Sequence, residues 1–144
     1  MLLDGENPDA DRCQHIFTYS LVPHEGDYRS AGLVQMAYDL NAPMQAIPVS
    51  AQTGFLPQQY ALVTLSSDNV ILETVKKAED SEGLVFRMYD AYNRQTRVDV
   101  TFGFAPKRVT LCDLMENELE TLDVRNNSVT LNINPYEIIT IKTE

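Results

Sequence analysis

Three apolar segments between residues 70 and 104 decide the fold: VILETV at 70–75, LVFRMY at 84–89 and RVDVTF at 97–102. In the third segment every second residue is apolar, so that one face holds Val98, Val100 and Phe102 and the other holds Arg97, Asp99 and Thr101. Such strict alternation is the period of a half-buried strand. Polar turns at 80–83 and 93–95 separate the segments. The stretch therefore predicts a three-stranded antiparallel meander with an apolar face that another layer must cover.

Strand patterns also occur on both sides of this stretch. They lie at 15–22, 60–65, 108–111, 119–124, 128–133 and 136–142, with a shorter one at 46–49. We expect 119–124 to pair with 128–133 through Arg125–Asn127, because asparagine tolerates positive φ. The last strand is apolar on both faces, which is typical of a central strand. The total of about nine strands and one short helix predicts a mainly β fold, an antiparallel β-sandwich.

One segment has the period of a helix. Between residues 30 and 40, apolar side chains recur at helical spacing at Leu33, Ala37 and Leu40. Ser30 is positioned to cap the first turn, and Asn41 with Pro43 ends the helix near residue 41. The polar residues from Asp4 to Gln14 predict a loop or a frayed end.

The charge of the chain excludes several classes of partner. A formal net charge of -10 over 144 residues argues against binding a nucleic acid phosphate backbone or an anionic membrane surface. No apolar run reaches the roughly 18 residues of a membrane span. Acidic residues directly follow Met1-Leu2-Leu3, which predicts that there is no signal peptide. We therefore expect a cytoplasmic protein in which Cys13 and Cys112 are reduced thiols.

The chain has two histidines, His15 and His24, and the second is a candidate for chemistry. His24 lies in a turn beside Glu25 and Asp27, which would suit a metal ligand or an acid/base catalyst. The alternative is a turn histidine bonded to the backbone or to Glu25. A zinc site needs at least three ligands, and the sequence does not show the others, so the second interpretation is favoured.

Two groups of carboxylates could also carry chemistry. Glu79 and Asp80 are neighbours on an extended chain and point to opposite faces, whereas a retaining glycosidase needs carboxyl groups about 5–5.5 Å apart. We expect them instead to balance the charge of Lys76 and Lys77 at the surface. A second acidic run contains Glu116, Glu118, Glu120 and Asp123. It lacks the glycine and the ligand spacing of a calcium loop, which predicts a solvated face.

Seven short sequence segments, which keep their order over nearly the whole chain, resemble those of a known family. They are PDAD at 8–11, HIFTYSLVPH at 15–24, LNAP at 40–43, TVKKAEDS at 74–81, VFRMYDA at 85–91, CDLME at 112–116 and PYEIIT at 135–140. In this order they resemble the C-terminal region of glycoside hydrolase family 38 α-mannosidases. The resemblance is strongest to the bacterial and cytosolic branch of that family.

The resemblance implies a parent enzyme that releases terminal α-D-mannose from glycans with retention. In that family the catalytic aspartates and the zinc ligands lie in an N-terminal catalytic region with no counterpart in this chain. We therefore assign no catalytic, cofactor-binding or metal-binding residue here, and expect zinc only in the parent's catalytic domain. The resemblance assigns residues 1–104 to the end of the large β-sandwich and residues 105–144 to a small C-terminal β-domain. The expected partners are that missing catalytic domain and, through it, a mannose-containing glycan.

Three interpretations of the function stay open. The favoured one is a non-catalytic β-sandwich part that supports the catalytic domain. The second is a carbohydrate-binding module in which tyrosines such as Tyr28, Tyr60 and Tyr92 stack on sugars, although the chain contains no tryptophan. The third is a small enzyme that uses His24 and nearby carboxylates. The candidates for cleft or sugar contacts are His24, Tyr28 and Arg29.

The chain taken alone should expose an apolar surface. In a larger sandwich the strand at 15–22 would pair with strands that precede Met1, and without them its edge and its apolar side chains are uncovered. We therefore expect a homodimer or a strand swap through the N-terminal half, unless the helix at 30–40 covers the gap.

Overall fold

The computed structural model describes residues 13–55 and 57–144. The described residues form one helix, α1 (Leu33–Asn41), followed by eight strands. The strands are β1 (Val63–Leu65), β2 (Val70–Lys77), β3 (Leu84–Asp90), β4 (Thr96–Phe102), β5 (Val109–Cys112), β6 (Glu118–Thr121), β7 (Ser128–Ile133) and β8 (Ile138–Thr143). The loop predicted at Asp4–Gln14 lies almost entirely outside the described residues. The helix is too short to span a membrane, and no other described helix exists to do so.

The strands form two antiparallel sheets that enclose one apolar core. One sheet has the order β1-β4-β7, and the other has the order β2-β3-β8-β5-β6. This arrangement confirms the predicted antiparallel β-sandwich, with eight strands instead of about nine. β8 lies at the centre of the larger sheet, as its two apolar faces predicted. Strands from both sides of residue 104 occur in both sheets, and the assignment of 1–104 and 105–144 to two parts of a longer protein stays a prediction.

The core consists of the inward faces of both sheets. On β4 the three predicted apolar residues Val98, Val100 and Phe102 are all buried, while Arg97, Asp99 and Thr101 are exposed. The Phe102 ring meets the Phe86 ring of the opposite sheet edge-on, with the ring centres 5.4 Å apart. The alternation of β4 therefore correctly predicted which of its faces joins the two layers.

The predicted meander is wrong in its third member. β2 and β3 pair with each other, but β4 crosses to the other sheet and pairs with β1 and β7. β4 needs one apolar and one solvated face, and a strand in either of the two sheets can have such a pair of faces. Periodicity reports the faces of a strand and not its neighbours, which is why the local sequence could not decide between the two sheets.

The hairpin predicted between 119–124 and 128–133 is also wrong. β6 pairs with β5, and β7 pairs with β4. A single bridge between Arg125 and Ser128 closes the tight turn that precedes β7. Within this turn Asn126 and Asn127 both have positive φ, of 51° and 59°, as the asparagine pair predicted. The local turn was therefore predicted correctly, but the partner strand was not.

The N-terminal third contains less regular structure than the sequence predicted. Neither 15–22 nor 46–49 forms a strand, and the strand predicted at 60–65 begins only at Val63. An alternating segment becomes a strand only when a neighbour takes up its backbone hydrogen bonds, and within the described residues these two segments have no such neighbour. Ser30 does not cap the helix: Gly32 precedes α1, and Ser30 belongs to a turn in which its backbone N–H donates to Asp27 Oδ1 (2.9 Å).

Two connections fold over the outer face of the larger sheet. Residues 78–83 and 113–117 meet there, where the Glu116 carboxylate pairs with Lys76 Nζ at 2.7 Å and accepts the Glu79 N–H at 3.0 Å. Glu116 is only 7% exposed, so the prediction of a solvated acidic face is wrong for this residue. Lys76 lowers the pKa of Glu116, with help from the Glu79 N–H.

Lys142 is the second cation under these connections. It is 3% exposed and lies 3.1 Å from Glu118 and 3.5 Å from Asp80. Glu79 pairs with Lys76 at 2.5 Å, as expected, whereas Asp80 points to a different lysine. The two neighbouring carboxylates therefore point in different directions, which fits the argument against a glycosidase pair.

Candidate functional site

Asp90 organises the end of the sandwich where the candidate site lies. It ends β3, is completely buried, and accepts hydrogen bonds from three separate loops. The donors are the Asn69 side chain (2.6 Å), the backbone N–H groups of Tyr92 (3.3 Å) and Arg94 (2.9 Å), and the backbone N–H of Tyr136 (3.0 Å). One carboxylate thereby fixes the positions of the loops that carry Asn69, Tyr92 and Tyr136.

The hydrogen bonds from the loops favour the ionised form of Asp90. Burial by itself raises the pKa of a carboxyl group, because it disfavours the charge. Here the hydrogen bonds from Tyr136, Arg94, Asn69 and Tyr92 outweigh burial and hold the pKa of Asp90 below its ordinary value. The loops are thus tied together as long as Asp90 stays ionised.

A group of aromatic rings and one guanidinium lies beside these loops. Tyr28 meets Tyr92 edge-on, with the ring centres 5.9 Å apart. The Arg29 guanidinium carbon lies 5.4 Å from the centre of the Tyr28 ring, and Arg29 Nε donates to the Tyr28 hydroxyl at 3.3 Å. The hydrogen bond from Arg29 lowers the pKa of Tyr28. The structure therefore brings together two of the three predicted candidates, Tyr28 and Arg29.

Helix α1 is attached to the larger sheet by a pair of tyrosines. The hydroxyl oxygens of Tyr38 and Tyr89 lie 3.2 Å apart. Burial, together with the hydrogen bond to Tyr38, raises the pKa of Tyr89 to about 12. The Tyr89 hydroxyl therefore keeps its proton at neutral pH and is able to donate to the Tyr38 hydroxyl oxygen.

A cleft of about 550 Å³ lies between α1 and the start of β2. Its apolar lining consists of Leu65, Val70, Ile71 and Leu72, and its polar or aromatic lining includes Arg29, Ser30, Gln35, Tyr38, Ser67, Asp68 and Tyr92. An apolar wall with a few converging polar groups is typical of a small-molecule site. We call this feature the helix–sheet cleft.

His24, the third predicted candidate, does not line this cleft. It is exposed in its turn, and its Nδ1 lies 3.3 Å from the carbonyl oxygen of Glu25. Across residues 13–55 and 57–144, no group of three histidine, cysteine, aspartate or glutamate side chains is arranged to hold a metal ion. His24 therefore has the geometry of a turn histidine that is bonded to the backbone.

Several residues of the site were not recognised from the sequence. Asp90, Asn69 and Asp68 carry no motif, and Tyr38 was seen only as a helix residue. A signal for Asp90 does exist: it is a single carboxylate between an apolar strand and a polar turn. Such a position suits an acceptor for the free N–H groups of neighbouring loops. The partners of Asp90, however, lie as far away in sequence as Tyr136.

A second, apolar groove lies on the other side of α1. It encloses about 610 Å³ and is lined by Ser20, Val22, Leu33, Met36, Ala37, Asp39 and Leu40. Nearby chain segments expose further large apolar side chains, among them Ile16, Phe17, Tyr19, Leu21, Met44, Ile47, Val49 and Phe55. A surface of this kind is typical of an interface with another protein layer.

Comparison with known proteins agrees with this architecture. Residues 69–141 match the family described as "Glycosyl hydrolases family 38 C-terminal beta sandwich domain". The chain is 34% identical over 141 residues to alpha-mannosidase 2C1 of Homo sapiens, covering 93% of this chain and 13% of that protein. It is 34% identical over 139 residues to the Mus musculus alpha-mannosidase 2C1, covering 91% and 13% respectively. It is 29% identical over 150 residues to alpha-mannosidase G of Dictyostelium discoideum, covering 99% and 14%.

These matches confirm the resemblance inferred from the phrases, and the chain spans about 13% to 14% of the length of the relatives quoted above. The family match covers just over half of the chain and runs from the loop before β2 into β8. It thus includes all of β2, β3, β5 and β6, the first four residues of β8, and both strands that pack Val98, Val100 and Leu131 into the core. The chain belongs to the family of C-terminal β-sandwich domains of the family 38 glycosyl hydrolases.

Proposed function

We propose that this chain is the non-catalytic C-terminal part of a cytoplasmic α-mannosidase, a retaining hydrolase that releases terminal α-D-mannose from glycans. Its role is to pack against the catalytic domain of the longer protein and to support it. The observation that carries this proposal is the apolar surface of residues 13–62. A complete sandwich stands next to a segment whose large apolar residues are exposed, which is the expected state of an interface without its partner.

The chemistry of the described residues favours a structural, supporting role over a catalytic one. The carboxylates that could have formed a pair, Glu79 and Asp80, are engaged with different lysines. The single described histidine in a candidate turn, His24, is bonded to the backbone. We assign zinc and the catalytic aspartates to the proposed catalytic domain.

The experiment combines this chain with the remainder of the longer polypeptide, expressed separately. Hydrolysis of an aryl α-mannoside is measured for each part alone, with zinc added, and for the mixture. We expect no turnover by this chain alone, because the proposed catalytic residues lie in the remainder, and stable activity only when both parts are present.

A matched pair of variants identifies the surface. Phe17→Ser with Leu21→Ser changes two exposed residues of the proposed interface, and Thr64→Ala with Thr101→Ala changes two exposed residues of the smaller sheet. The first double variant should weaken the restored activity, and the second should leave it unchanged. Turnover by this chain alone above a mock preparation, or equal effects of the two double variants, would contradict the proposal.

A further inference from the structure

The helix–sheet cleft has a lining with two distinct parts. Its apolar part comes from β1 and β2, and within it Val70 and Ile71 are buried. Its polar part comes from α1, the turn before it and the loop before β2. Two aromatic rings, Tyr38 and Tyr92, stand in the same lining. A ligand that fits must therefore present both C–H surface and several hydrogen-bonding groups.

Hydrogen bonds hold two polar groups of the cleft in place, Gln35 and Ser67, and both keep bonding capacity free. Gln35 Nε2 donates to Asp39 at 3.1 Å, which orients the amide and leaves its oxygen available as an acceptor. Ser67 Oγ donates to Asn69 at 2.5 Å, so its lone pairs stay available. Among the described residues, the Asp68 carboxylate takes part in no hydrogen bond or ion pair.

Arg29 supplies the donors that this acceptor-rich lining needs. Its Nε is used by Tyr28, but a guanidinium has five N–H groups, so its terminal nitrogens can donate to a ligand. The Tyr28 ring, over which Arg29 lies, also contacts Tyr92 edge-on. The Tyr28 ring therefore positions both the Arg29 guanidinium and the Tyr92 ring before a ligand arrives.

The charge of the lining indicates the class of ligand. Arg29 and Asp68 balance each other, so the cleft has no excess charge to attract an ion. The whole chain carries a net charge of -10, which disfavours an anionic ligand further. A polyol fits, because each of its hydroxyls both donates and accepts hydrogen bonds. A ring with one C–H face would also use the aromatic wall.

We infer that the helix–sheet cleft binds a neutral pyranose unit of a glycan. Arg29 and Asp68 hold neighbouring ring hydroxyls, the Gln35 amide oxygen accepts from another, and the sugar's C–H face lies against Tyr92. This is a binding site in its own right and goes beyond the supporting role proposed above. It involves two of the sequence candidates, Tyr28 and Arg29, and leaves out His24.

The test is an NMR titration of the isotopically labelled 144-residue chain with methyl α-D-mannopyranoside. We expect saturable shifts of amide signals within 29–35, 65–72 and around residue 92, at millimolar concentrations of the sugar. Glucuronate serves as the anionic comparison and should bind more weakly, because Asp68 and the net charge oppose it. Methyl α-D-glucopyranoside tests whether the cleft distinguishes neutral sugars. Shifts that grow linearly with every sugar and do not cluster at the cleft would overturn the inference.

Variants separate binding from folding. Arg29→Ala and Asp68→Ala each remove one group that faces the cleft, and each should weaken binding about tenfold. Arg97→Ala is the matched control, because Arg97 is an exposed arginine on the smaller sheet. Thermal melting of each variant shows whether the fold is retained, and Asp68→Asn, which keeps one acceptor oxygen, should bind better than Asp68→Ala. Unchanged affinity in Arg29→Ala and Asp68→Ala would contradict the inference.

The test of sugar binding is independent of the test of the supporting role. Sugar binding is measured on this chain alone, whereas support is measured as restored activity of the catalytic part. A chain that restores activity without binding a sugar would remove only the present inference. A chain that binds a sugar without restoring activity would remove only the supporting role.

Discussion

Residues 63–144 and residues 13–62 are both rich in apolar side chains, yet only the first region buries them. Every buried hydrophobic residue of the described chain lies in 63–144, whereas none of the described residues from 13 to 62 is buried. In the sandwich, two sheets cover each other's apolar faces. In the N-terminal region, α1 meets the larger sheet at the Tyr38–Tyr89 pair, and none of the residues of α1 is buried among the described residues. Hydrophobic content thus makes a core only where a second face is available to receive it.

The largest difference in stability between the two regions should appear when a buried valine of one and an exposed valine of the other are each replaced by aspartate. Val100→Asp places a charge in the core, where Val100 has no exposed surface, and should cost several kcal/mol, enough to unfold the domain. Val49→Asp changes a residue that is 81% exposed and should have almost no effect on stability. Thermal melting followed by circular dichroism compares the two. If Val100→Asp melts within a few degrees of the wild type, the assignment of the β4 faces is wrong.

A smaller effect is expected for the carboxylate that ties the loops of the sandwich together. Asp90→Asn removes the charged acceptor of four hydrogen bonds and should lower the free energy of unfolding by about 2 kcal/mol at neutral pH. Asp123→Asn, which alters an exposed pair with Arg125, is the control and should cost less than about 1 kcal/mol. Denaturant unfolding measures both changes.

The same variant tests the pH dependence. The pKa of Asp90 is lowered in the folded chain, so its contribution is fully present above the unfolded pKa of about 3.9 and is lost as the pH falls through the folded pKa. Asp90→Asn should therefore reduce the loss of stability on acidification below that value. An unchanged acid profile would mean that Asp90 is not the group that titrates with unfolding.

The attachment of the helix to the sheet should contribute even less to the free energy of unfolding. Tyr38→Phe removes the hydroxyl that meets Tyr89 and should cost about 1 kcal/mol. Tyr19→Phe removes the hydroxyl of a tyrosine that is 82% exposed and serves as the control. Hydrogen exchange should become faster in α1 for Tyr38→Phe while the β4 and β8 amides keep their protection. Equal acceleration in β8 would show that the helix and the sandwich unfold as one unit.

The smallest effect on stability is expected at the exposed apolar segment. Phe17→Ser should change the free energy of unfolding by less than about 0.5 kcal/mol, because Phe17 is 78% exposed. The same change should weaken self-association, since we expect the wild-type chain to dimerise through this half. Sedimentation at micromolar concentration measures the association. A wild-type monomer with slow amide exchange from Ile16 to Leu21 would instead show that the N-terminal region is complete without a partner.

The amino-acid sequence by itself determined the properties that depend on neighbouring residues. Alternation identified the buried face of β4, apolar residues on both faces placed β8 at the centre of a sheet, and two asparagines predicted the turn at 126–127. Phrases spread along the chain identified the family. Tyr28 and Arg29 were singled out, and the structure places them together with Tyr92.

Only the tertiary structure decided which elements meet. In the structure, β4 belongs to the other sheet instead of the predicted meander, and β6 pairs with β5. Residues 15–22 have no strand partner among the described residues, and Glu116 is buried against Lys76. The structure also places the loops of Asn69 and Tyr136 around Asp90, although 46 positions separate Tyr136 from Asp90. Periodicity is a local property that reports which face of an element is apolar. The choice of partner depends instead on contacts between distant segments, which form only when both faces and their polar groups can be satisfied at once.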